Sequence, residues 1–437
     1  MSGITELLKK DISFKRKPSS KAEATSTKPE APSPKAEAPS PKSETTAPTQ
    51  DKATNKAPKR GVSLKRGPSV SLPKLALKQR KSPAAGSGGR HKQVVGLSIG
   101  ASQLSAAVVV NNGKPKLVKA ARHPLPPNVV TGGEVRDSEA LANEIATFFE
   151  DADLPRRNVR LGIGSSRTGV RVFERPTVDD PRQLANAIRF RAYETLPIPI
   201  EEAMLDYHVV EETTTPDRVL LAVAYRDLVD SFAATCAAAK VELVGIDIEA
   251  FALLRAVGGE PLQAGERAEA ARVAVSIGYD RTTVAVSDGR LCEFTRVLDW
   301  GGARVTAAVE RALEVDTNEA ERIKHSLDIS SHAAEEPADE RMQHAAEAAR
   351  REVHGLAREL ASSLHFYQDQ PDSLGFAEIT ITGGGSHLQG LAEQLEELIG
   401  ISVRVADPFA RVGSGHGISS NGQDGALAVA IGLGIED

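Results

Sequence analysis

The octapeptide Val-Gly-Leu-Ser-Ile-Gly-Ala-Ser at residues 95–102 constrains the fold more than any other part of the sequence. It predicts an apolar strand that ends in a tight turn at Gly100, and residues 104–110 predict a second apolar strand after that turn. Glycine allows the backbone to bend sharply and to lie close to a ligand. Because successive amides of such a turn can point at an anion, the stretch predicts a phosphate-binding hairpin.

A second copy of this hairpin lies in the carboxyl-terminal half of the chain. Ser276-Ile277-Gly278 repeats Ser98-Ile99-Gly100, and each copy is followed by a turn signal, Asn112-Gly113 in the first and Asp288-Gly289 in the second. A strand-turn-strand-turn-strand unit that occurs twice predicts two related α/β units that face one another. A nucleotide held between the two hairpins is the ligand that this arrangement predicts.

The charge of the chain is divided unevenly between a basic amino-terminal segment and an acidic remainder. Residues 1–92 contain 21 Lys or Arg and 7 Asp or Glu, a net charge of +14, whereas residues 93–437 contain 33 and 52, a net charge of −19. The first segment also holds 11 of the 25 prolines and a single aromatic residue, Phe14. It cannot bury enough apolar surface to fold, so we predict a disordered tail.

Short motifs in this tail predict contact with an anionic membrane or a partner protein. Residues 12–19 and 62–69 share the pattern Ser-apolar-Lys-Arg-x-Pro-Ser, and residues 4–12 predict a short amphipathic helix. Each basic residue near an anionic membrane contributes about 1 kcal/mol, and phosphorylation of Ser19 or Ser69 would weaken that attraction. Nucleic acid is not predicted as a partner, because aromatic residues that stack on bases are missing. A tail that serves only solubility is the alternative.

Simple counts exclude several classes of protein. The two cysteines, Cys236 and Cys292, form no CxxC motif, and no histidine cluster proposes a metal site. The sequence has no run of 18 apolar residues and no apolar core of a signal peptide. We therefore predict a cytoplasmic protein in a reducing compartment, held at the inner face of the cell membrane by its tail.

A third glycine-rich segment makes the pattern resemble the actin-like ATPase fold. The two hairpins resemble the phosphate loops of that fold, and residues 379–385, Ile-Thr-Ile-Thr-Gly-Gly-Gly, resemble its adenosine loop. Glu321 and Lys324, one turn apart on a predicted helix, resemble the pair that contacts adenosine. The resemblance implies an α/β protein of two duplicated ribonuclease-H-like domains with an inserted α+β subdomain.

Within this fold, residues 93–437 resemble the PilM branch of type IV pilus assembly proteins, which is related to the division protein FtsA. The resemblance rests on an ordered series of segments: residues 125–126, 132–137, 187–189, 194, 196–202, 205–207, 245–253, 363–367, 405–409 and 428–433. It implies a cytoplasmic adaptor that binds the cytoplasmic N-terminal segment of a PilN-like inner-membrane protein near the inserted subdomain. It also implies contact with the pilus motor ATPase or platform proteins.

Composition and resemblance together predict the order of units along the chain. They are a disordered basic tail (1–92), the first part of the first actin-like domain (93–157), an inserted peptide-binding subdomain (158–225), the second part of the first domain (226–257), a second actin-like domain (258–420) with a helical subdomain at about 303–375, and a C-terminal helix (421–437) that returns to the domain junction. The insert is predicted as strand-strand-helix-strand-strand. The small residues of the last helix suit close packing.

The sequence departs from the family where phosphoryl transfer would take place. The resemblance implies an aspartate before each Ile-Gly, which helps to hold Mg²⁺ and to position water, but both positions are serine here, Ser98 and Ser276. Ser105 stands where a lysine of the first loop is expected. Because phosphoryl transfer depends on a metal that neutralises developing charge, we predict ATP binding with weak or absent hydrolysis, weakened Mg²⁺ binding, no catalytic residue and no metal ligand.

The predicted ATP contacts come from the two hairpins, the helical pair and the adenosine loop. They are Ser98, Gly100, Ala101, Ser102, Ser276, Gly278, Thr282, Thr283, Glu321, Lys324, Gly383, Gly384, Gly385 and Ser386. Asp247 and Glu249 are further candidates to position water. His325 and His387 lie near the predicted cleft without the spacing of metal ligands.

Three alternatives stay open on the sequence. An FtsA-like scaffold that polymerises in cell division would share the fold, with residues 4–12 in place of the C-terminal membrane helix usual for FtsA-like chains. A phosphotransferase of this fold, such as a sugar kinase, would require a carboxylate base, against which the two serines argue. In the third alternative, Ser98 and Ser276 are inert strand-end residues in a degenerate cleft.

Overall fold

The computed structural model describes residues 92–195, 199–212, 216–263, 266, 268–330, 339–414 and 424–436, and the structural statements below refer to these ranges. The basic tail lies outside them except for Lys92, and so do its predicted helix, its two Lys-Arg repeats, Ser19 and Ser69. Part of the family segment at 196–202 and residues 421–423 of the predicted C-terminal unit also lie outside the described residues.

One mixed sheet forms the centre of the first half. Its strands, in spatial order, are β10 (Leu243–Ile248), β6 (Val159–Ile163), β1 (Gln93–Ile99), β2 (Gln103–Val110), β3 (Lys116–Pro124) and β16 (Gly413–Ser414). The pairs β1–β2 and β2–β3 are antiparallel, whereas β1–β6 and β6–β10 are parallel. A small hairpin of β4 (Val130–Thr131) and β5 (Glu134–Val135) follows β3.

The sheet of the second half repeats this plan. Its strands, in spatial order, are β15 (Ser402–Val405), β14 (Phe376–Thr382), β11 (Ala271–Ile277), β12 (Thr282–Ser287) and β13 (Cys292–Leu298). Again a first strand pairs antiparallel with its hairpin partner on one side and parallel with a later strand on the other. The predicted duplication of an α/β unit, as in two ribonuclease-H-like domains, is therefore confirmed.

Helices connect and cover these sheets. They are α1 (Ser138–Asp151), α2 (Pro181–Thr195), α3 (Arg226–Ala238), α4 (Glu249–Val257), α5 (Gly302–Leu313), α6 (Thr317–Ser326), α7 (Glu340–Gln368), α8 (Leu391–Ile399) and α9 (Ala428–Gly434). Short 3₁₀ helices at Gly384–His387 and Asp424–Leu427 precede α8 and α9. Across the described ranges, no helix combines the length and the apolarity that a membrane span requires.

Local sequence signals account for where several helices begin. The carboxylate of Asp137 accepts a hydrogen bond from the amide of Ala140 at 2.9 Å and so caps the start of α1. Asp316 caps α6 in the same way, accepting from the amide of Glu319 at 2.9 Å. The helix α8 begins at Leu391, directly after Gly390, which adopts a left-handed φ of 82°.

The inserted subdomain begins later than the sequence analysis predicts. It consists of α2 and a three-stranded antiparallel sheet of β7 (Thr168–Glu174), β9 (Arg218–Tyr225) and β8 (Ala203–Val210). β6, which was predicted to open the insert at residue 158, lies instead between β1 and β10. Its largely buried, mostly apolar run is typical of a central parallel strand, so the insert starts near Thr168.

The small residues of α9 permit very close packing at the junction of the two halves. A Cβ atom at Gly432 would lie 1.8 Å from the carbonyl oxygen of Ala252 in α4, and one at Gly96 in β1 would lie 2.0 Å from that of Ala430. The helix α4 packs in turn against β12 of the second sheet. The predicted use of alanine and glycine for close packing is therefore confirmed.

Candidate functional site

The two hairpin turns have the same backbone hydrogen bond. The amide of Gly100 donates to the carbonyl oxygen of Gln103 at 2.9 Å, and the amide of Gly278 donates to that of Arg281 at 2.9 Å. A Cβ atom at Gly278 would lie 2.9 Å from the carbonyl oxygen of Arg281, so this turn has little room for a side chain at its first residue. The repeated motif therefore encodes one local geometry twice.

Both turns face a single cleft with a volume of about 310 Å³. Twelve of the predicted ATP contacts line it, namely Ser98, Gly100, Ala101, Ser102, Ser276, Gly278, Thr283, Glu321, Lys324, Gly383, Gly384 and Gly385. Ser105, which pairs with Ser98 across the first hairpin, lines it as well. The structure thus brings the two hairpins, the helix α6 and the glycine loop to one cavity.

Two predicted contacts lie outside the lining of this cleft. Thr282 is fully buried, and its hydroxyl donates to the carbonyl oxygen of Trp300 at 2.7 Å. The hydroxyl of Ser386 donates to the carbonyl oxygen of Gly383 at 2.8 Å. Both hydroxyls donate to backbone carbonyl oxygens, that of Thr282 to the segment after β13 and that of Ser386 within its own loop, which corrects the expectation that these side chains face the ligand.

The glycine loop after β14 owes its shape to close backbone contacts. Gly383 has a φ of 91°, and a Cβ atom there would lie 2.4 Å from the carbonyl oxygen of Ile277. By contrast, a Cβ atom at Gly384 would meet no atom within 4 Å. Gly383 therefore holds the loop against the second hairpin, and Gly384 leaves its surface open towards the cleft.

A charged pair from α6 forms one wall of the cleft. The ammonium group of Lys324 lies 2.7 Å from both carboxylate oxygens of Glu321, and the hydroxyl of Thr306 donates to the same carboxylate at 2.5 Å. Burial alone would raise the pKa of Glu321, but the hydrogen bonds from Lys324 and Thr306 outweigh it and hold that pKa below its ordinary value. Glu321 is therefore ionised at neutral pH and fixes the position of the lysine.

The carboxylates near the cleft already have partners. Glu249 lines the cleft and accepts from the hydroxyl of Thr283 at 3.1 Å. Asp247 is not among the lining residues, since its carboxylate pairs with the guanidinium of Arg255. Of the two candidates for positioning water, only Glu249 is placed to contact a ligand.

The second turn is tied to the first half across the cleft by two adjacent residues that the sequence analysis missed. Asp280 accepts from the amide of Gly132 at 2.7 Å, and the buried guanidinium of Arg281 donates to the carbonyl oxygen of Ile99 at 3.2 Å. Arg281 occupies the turn position that Gln103 holds in the first hairpin, a difference visible on aligning the two copies. Together with Arg122 and Lys324 it gives the cleft wall three cationic side chains.

The two histidines near the cleft differ in their surroundings. His325 is exposed and lies 3.4 Å from Glu321. His387 lines the cleft, and its buried Nε2 atom has no hydrogen-bond partner among the described residues. Burial lowers the pKa of His387, and this effect outweighs the negative charge of Asp424, which would raise the pKa. The ring is therefore neutral at pH 7. An unpartnered buried nitrogen beside the glycine loop suits a polar ligand group.

The lining residues fit a nucleotide better than a metal ion. Turn amides, hydroxyl groups, three cations and an open glycine surface are the groups that hold phosphate and a base. Mg²⁺ instead prefers carboxylate oxygens in octahedral geometry, and the hairpin positions that would supply them are Ser98 and Ser276. In the described ranges, no cluster of three or more His, Cys, Asp or Glu side chains is placed to hold a metal.

Comparison with known proteins finds one matching family model and several solved structures with a similar fold. A family model described as type IV pilus assembly protein PilM matches residues 96–437. A chain of the PilM-PilN type IV pilus biogenesis complex is 26% identical, with a TM-score of 0.64, over 78% of this chain and 97% of that one. The ethanolamine utilization protein EutJ from Carboxydothermus hydrogenoformans (14% identity, TM-score 0.48) covers 79% of this chain and 91% of its own. MreB5 of Spiroplasma citri bound to AMPPNP is 12% identical, with a TM-score of 0.47, and the match covers 79% of this chain and 95% of that one.

Proposed function

The chain belongs to the PilM family of type IV pilus assembly proteins and has the actin-like ATPase fold, and from that premise we propose that it is a cytoplasmic adaptor of a pilus machine. It binds the N-terminal cytoplasmic segment of a PilN-like inner-membrane protein and joins it to the motor or platform. Similarity to a chain of the PilM-PilN complex over 97% of that chain supports this proposal above the FtsA-like alternative.

An aromatic face on the inserted subdomain supports a docking role. Phe190 and Tyr193 on α2 are 65% and 69% exposed, although large aromatic side chains usually lie buried. They are three residues apart and therefore adjacent on the helix surface, while Leu184, Ile188 and Ala192 bury the opposite face. Exposed aromatic residues of this kind carry much of the binding energy at protein interfaces.

Calorimetry with a synthetic peptide of the PilN-like cytoplasmic segment tests the docking proposal. Replacing Phe190 and Tyr193 by alanine should weaken binding by about 2 kcal/mol, roughly thirtyfold. Phe366→Ala is the matched control, because Phe366 is 59% exposed on α7, far from the insert in sequence. Equal affinity of the double variant and the wild type would remove the insert face from the proposal.

We propose that the cleft between the two hairpin turns binds ATP with little or no hydrolysis. The observation that carries this is the convergence of both glycine turns, the glycine loop and the Glu321–Lys324 pair on one cavity. The turn amides and the hydroxyls of Ser98 and Ser276 would contact phosphate oxygens, and Arg281 would supply positive charge that Mg²⁺ supplies elsewhere. Serine replaces the carboxylate before each Ile-Gly, and the two carboxylates that line the cleft near the turns, Glu249 and Asp280, already accept hydrogen bonds from Thr283 and Gly132.

Titration calorimetry with ATP, in Mg²⁺ and in EDTA, tests this proposal. We expect similar affinities in both buffers and no phosphate release above background. Gly384→Val should abolish binding, because the added side chain would enter the cleft. Gly245→Val is the control, because Gly245 does not line the cleft. A Cβ atom at Gly245, like one at Gly384, would meet no atom within 4 Å. Turnover at ordinary ATPase rates that Ser276→Ala abolishes would refute the proposal.

A further inference from the structure

Four arginines converge on a groove on the side of the second half, where the family resemblance assigns no role. The groove encloses about 620 Å³ between β13, α5 and α7. Its lining includes Arg296 from β13, Arg304 from α5, and Arg351 and Arg358 from α7. Three separate elements thus direct cations to one depression.

The groove carries more positive than negative charge, because four arginines line it against two glutamates, Glu352 and Glu359. Arg296, Arg304 and Arg351 are exposed, and none of them lies within ion-pair distance of a carboxylate in the described part of the chain. Like charges brought together repel one another, and residues 93–437 as a whole carry a net charge of −19. A basic groove on an acidic body therefore calls for an anionic partner.

The shape of the groove indicates an extended occupant. Arg351, Gly355, Arg358 and Ser362 follow one another along one side of α7 and span about 16 Å at 1.5 Å per residue. A Cβ atom at Gly355 would meet no atom within 4 Å, so the floor of the groove is open there. About five residues of an extended chain cover this distance.

We propose that this groove binds an acidic peptide segment of a partner protein. Guanidinium groups form paired hydrogen bonds with carboxylates, and Glu352 and Glu359, which also line the groove, disfavour a uniform polyanion such as nucleic acid. A concave groove does not match a flat membrane surface. The basic tail of the chain itself is excluded by its own positive charge.

A single tryptophan reports on this groove directly. Trp300 is the only tryptophan in the sequence, and it lines both the groove and the nucleotide cleft. Its indole nitrogen donates to the carbonyl oxygen of Glu352 in α7 at 3.1 Å. A ligand in the groove should therefore change the intrinsic fluorescence of the protein.

The test is a fluorescence titration of the full chain with a synthetic heptapeptide that alternates glutamate and alanine. We expect saturable binding that is lost with the glutamine version of the peptide and weakens as salt is raised. R304A/R351A should bind at least tenfold more weakly. R157A/R182A, which removes two exposed arginines elsewhere, should bind as the wild type does.

Several outcomes would overturn the proposal. Equal binding of both peptides, or equal loss in both double variants, would show that no groove-specific site exists. Displacement of the peptide by ATP would place the peptide in the cleft instead. Arginine-dependent binding of vesicles containing phosphatidylglycerol, with no binding of the peptide, would make the surface a lipid contact.

Discussion

Ser98 and Ser276 occupy equivalent positions in the two hairpins, and their hydroxyls decide what chemistry the cleft can support. Each lies in the cleft one residue before the Ile-Gly turn. A hydroxyl donates to a phosphate oxygen, whereas a carboxylate repels phosphate unless a metal lies between them. Under the proposed function, the pair of serines should therefore favour binding of ATP without a metal over metal-assisted hydrolysis.

Restoring a carboxylate at both positions should create metal dependence. We expect S98D/S276D to bind ATP at least tenfold more tightly in Mg²⁺ than in EDTA, whereas the wild type differs by less than about threefold. S98N/S276N keeps the size of the new side chains without their charge and should stay independent of metal. Calorimetry in the two buffers measures the difference. A charged variant that behaves like the asparagine variant would contradict the metal argument.

The ion pair at Glu321 gives the stability a defined pH dependence. Burial alone would raise the pKa of Glu321, but hydrogen bonds from Lys324 and Thr306 hold this pKa below its ordinary value of 4.5. A depressed carboxylate pKa stabilises the fold above pH 4.5, and this stabilisation is lost as the pH falls through the depressed pKa. Urea unfolding should therefore show a gap between wild type and E321Q that is constant from pH 7 to 5 and narrows below 4.5. E393Q, at an exposed glutamate on α8, is the control.

At the scale of elements, α9 shows how a short helix holds two halves together. It is buried along its whole length and contacts β1, β2 and α4. Such close approach depends on residues without bulky side chains, as at Gly432 against Ala252. The helix therefore connects α4, which packs against β12 of the second sheet, to β1 in the first sheet.

Two glycine substitutions separate packing from helix propensity. Gly432→Ala should lower the free energy of unfolding by roughly 1–3 kcal/mol, because its Cβ atom would collide with backbone. Gly355→Ala in α7 should instead raise it by up to about 1 kcal/mol, since the position is open and alanine favours helix. Denaturant titration measures both changes. An unchanged free energy of unfolding in Gly432→Ala would show that a methyl group fits between α9 and α4, contrary to this argument.

At the scale of the whole molecule, opposite charges are separated along the chain. The tail carries +14 and the remainder −19, so the two parts are expected to seek different partners. The insert also meets the second half through charge, because Arg218 contacts Asp288 at 2.6 Å and Glu293 at 2.9 Å. Charge thus organises both the contacts within the folded part and the contacts predicted outside it.

Removal of the tail should abolish attraction to anionic membranes. We expect the full chain to co-sediment with vesicles containing phosphatidylglycerol at low salt, and residues 93–437 to remain in the supernatant. Raising the salt concentration should release the full chain, and neutral vesicles provide the control. Equal sedimentation of both chains would show that the tail is not the membrane contact.

Local features were readable from the sequence because they depend on neighbouring residues. The glycine turns at Gly100 and Gly278, the cap at Asp137 and the loop at Gly383 follow from backbone preferences over a few positions. The repetition of one hairpin also predicted a duplicated fold. The strand β6 was misplaced because strand pairing depends on partners distant in the chain.

The sequence by itself determined the duplicated hairpins, the glycine-rich loop and the division of charge, since each is a property of a short segment or of composition. Only the tertiary structure decided that Arg281 crosses to Ile99, that Thr282 and Ser386 turn away from the cleft, and that four arginines meet in one groove. The physical reason is range: a turn is set by steric limits within a few residues, whereas the convergence of side chains depends on how sheets and helices from distant segments pack together.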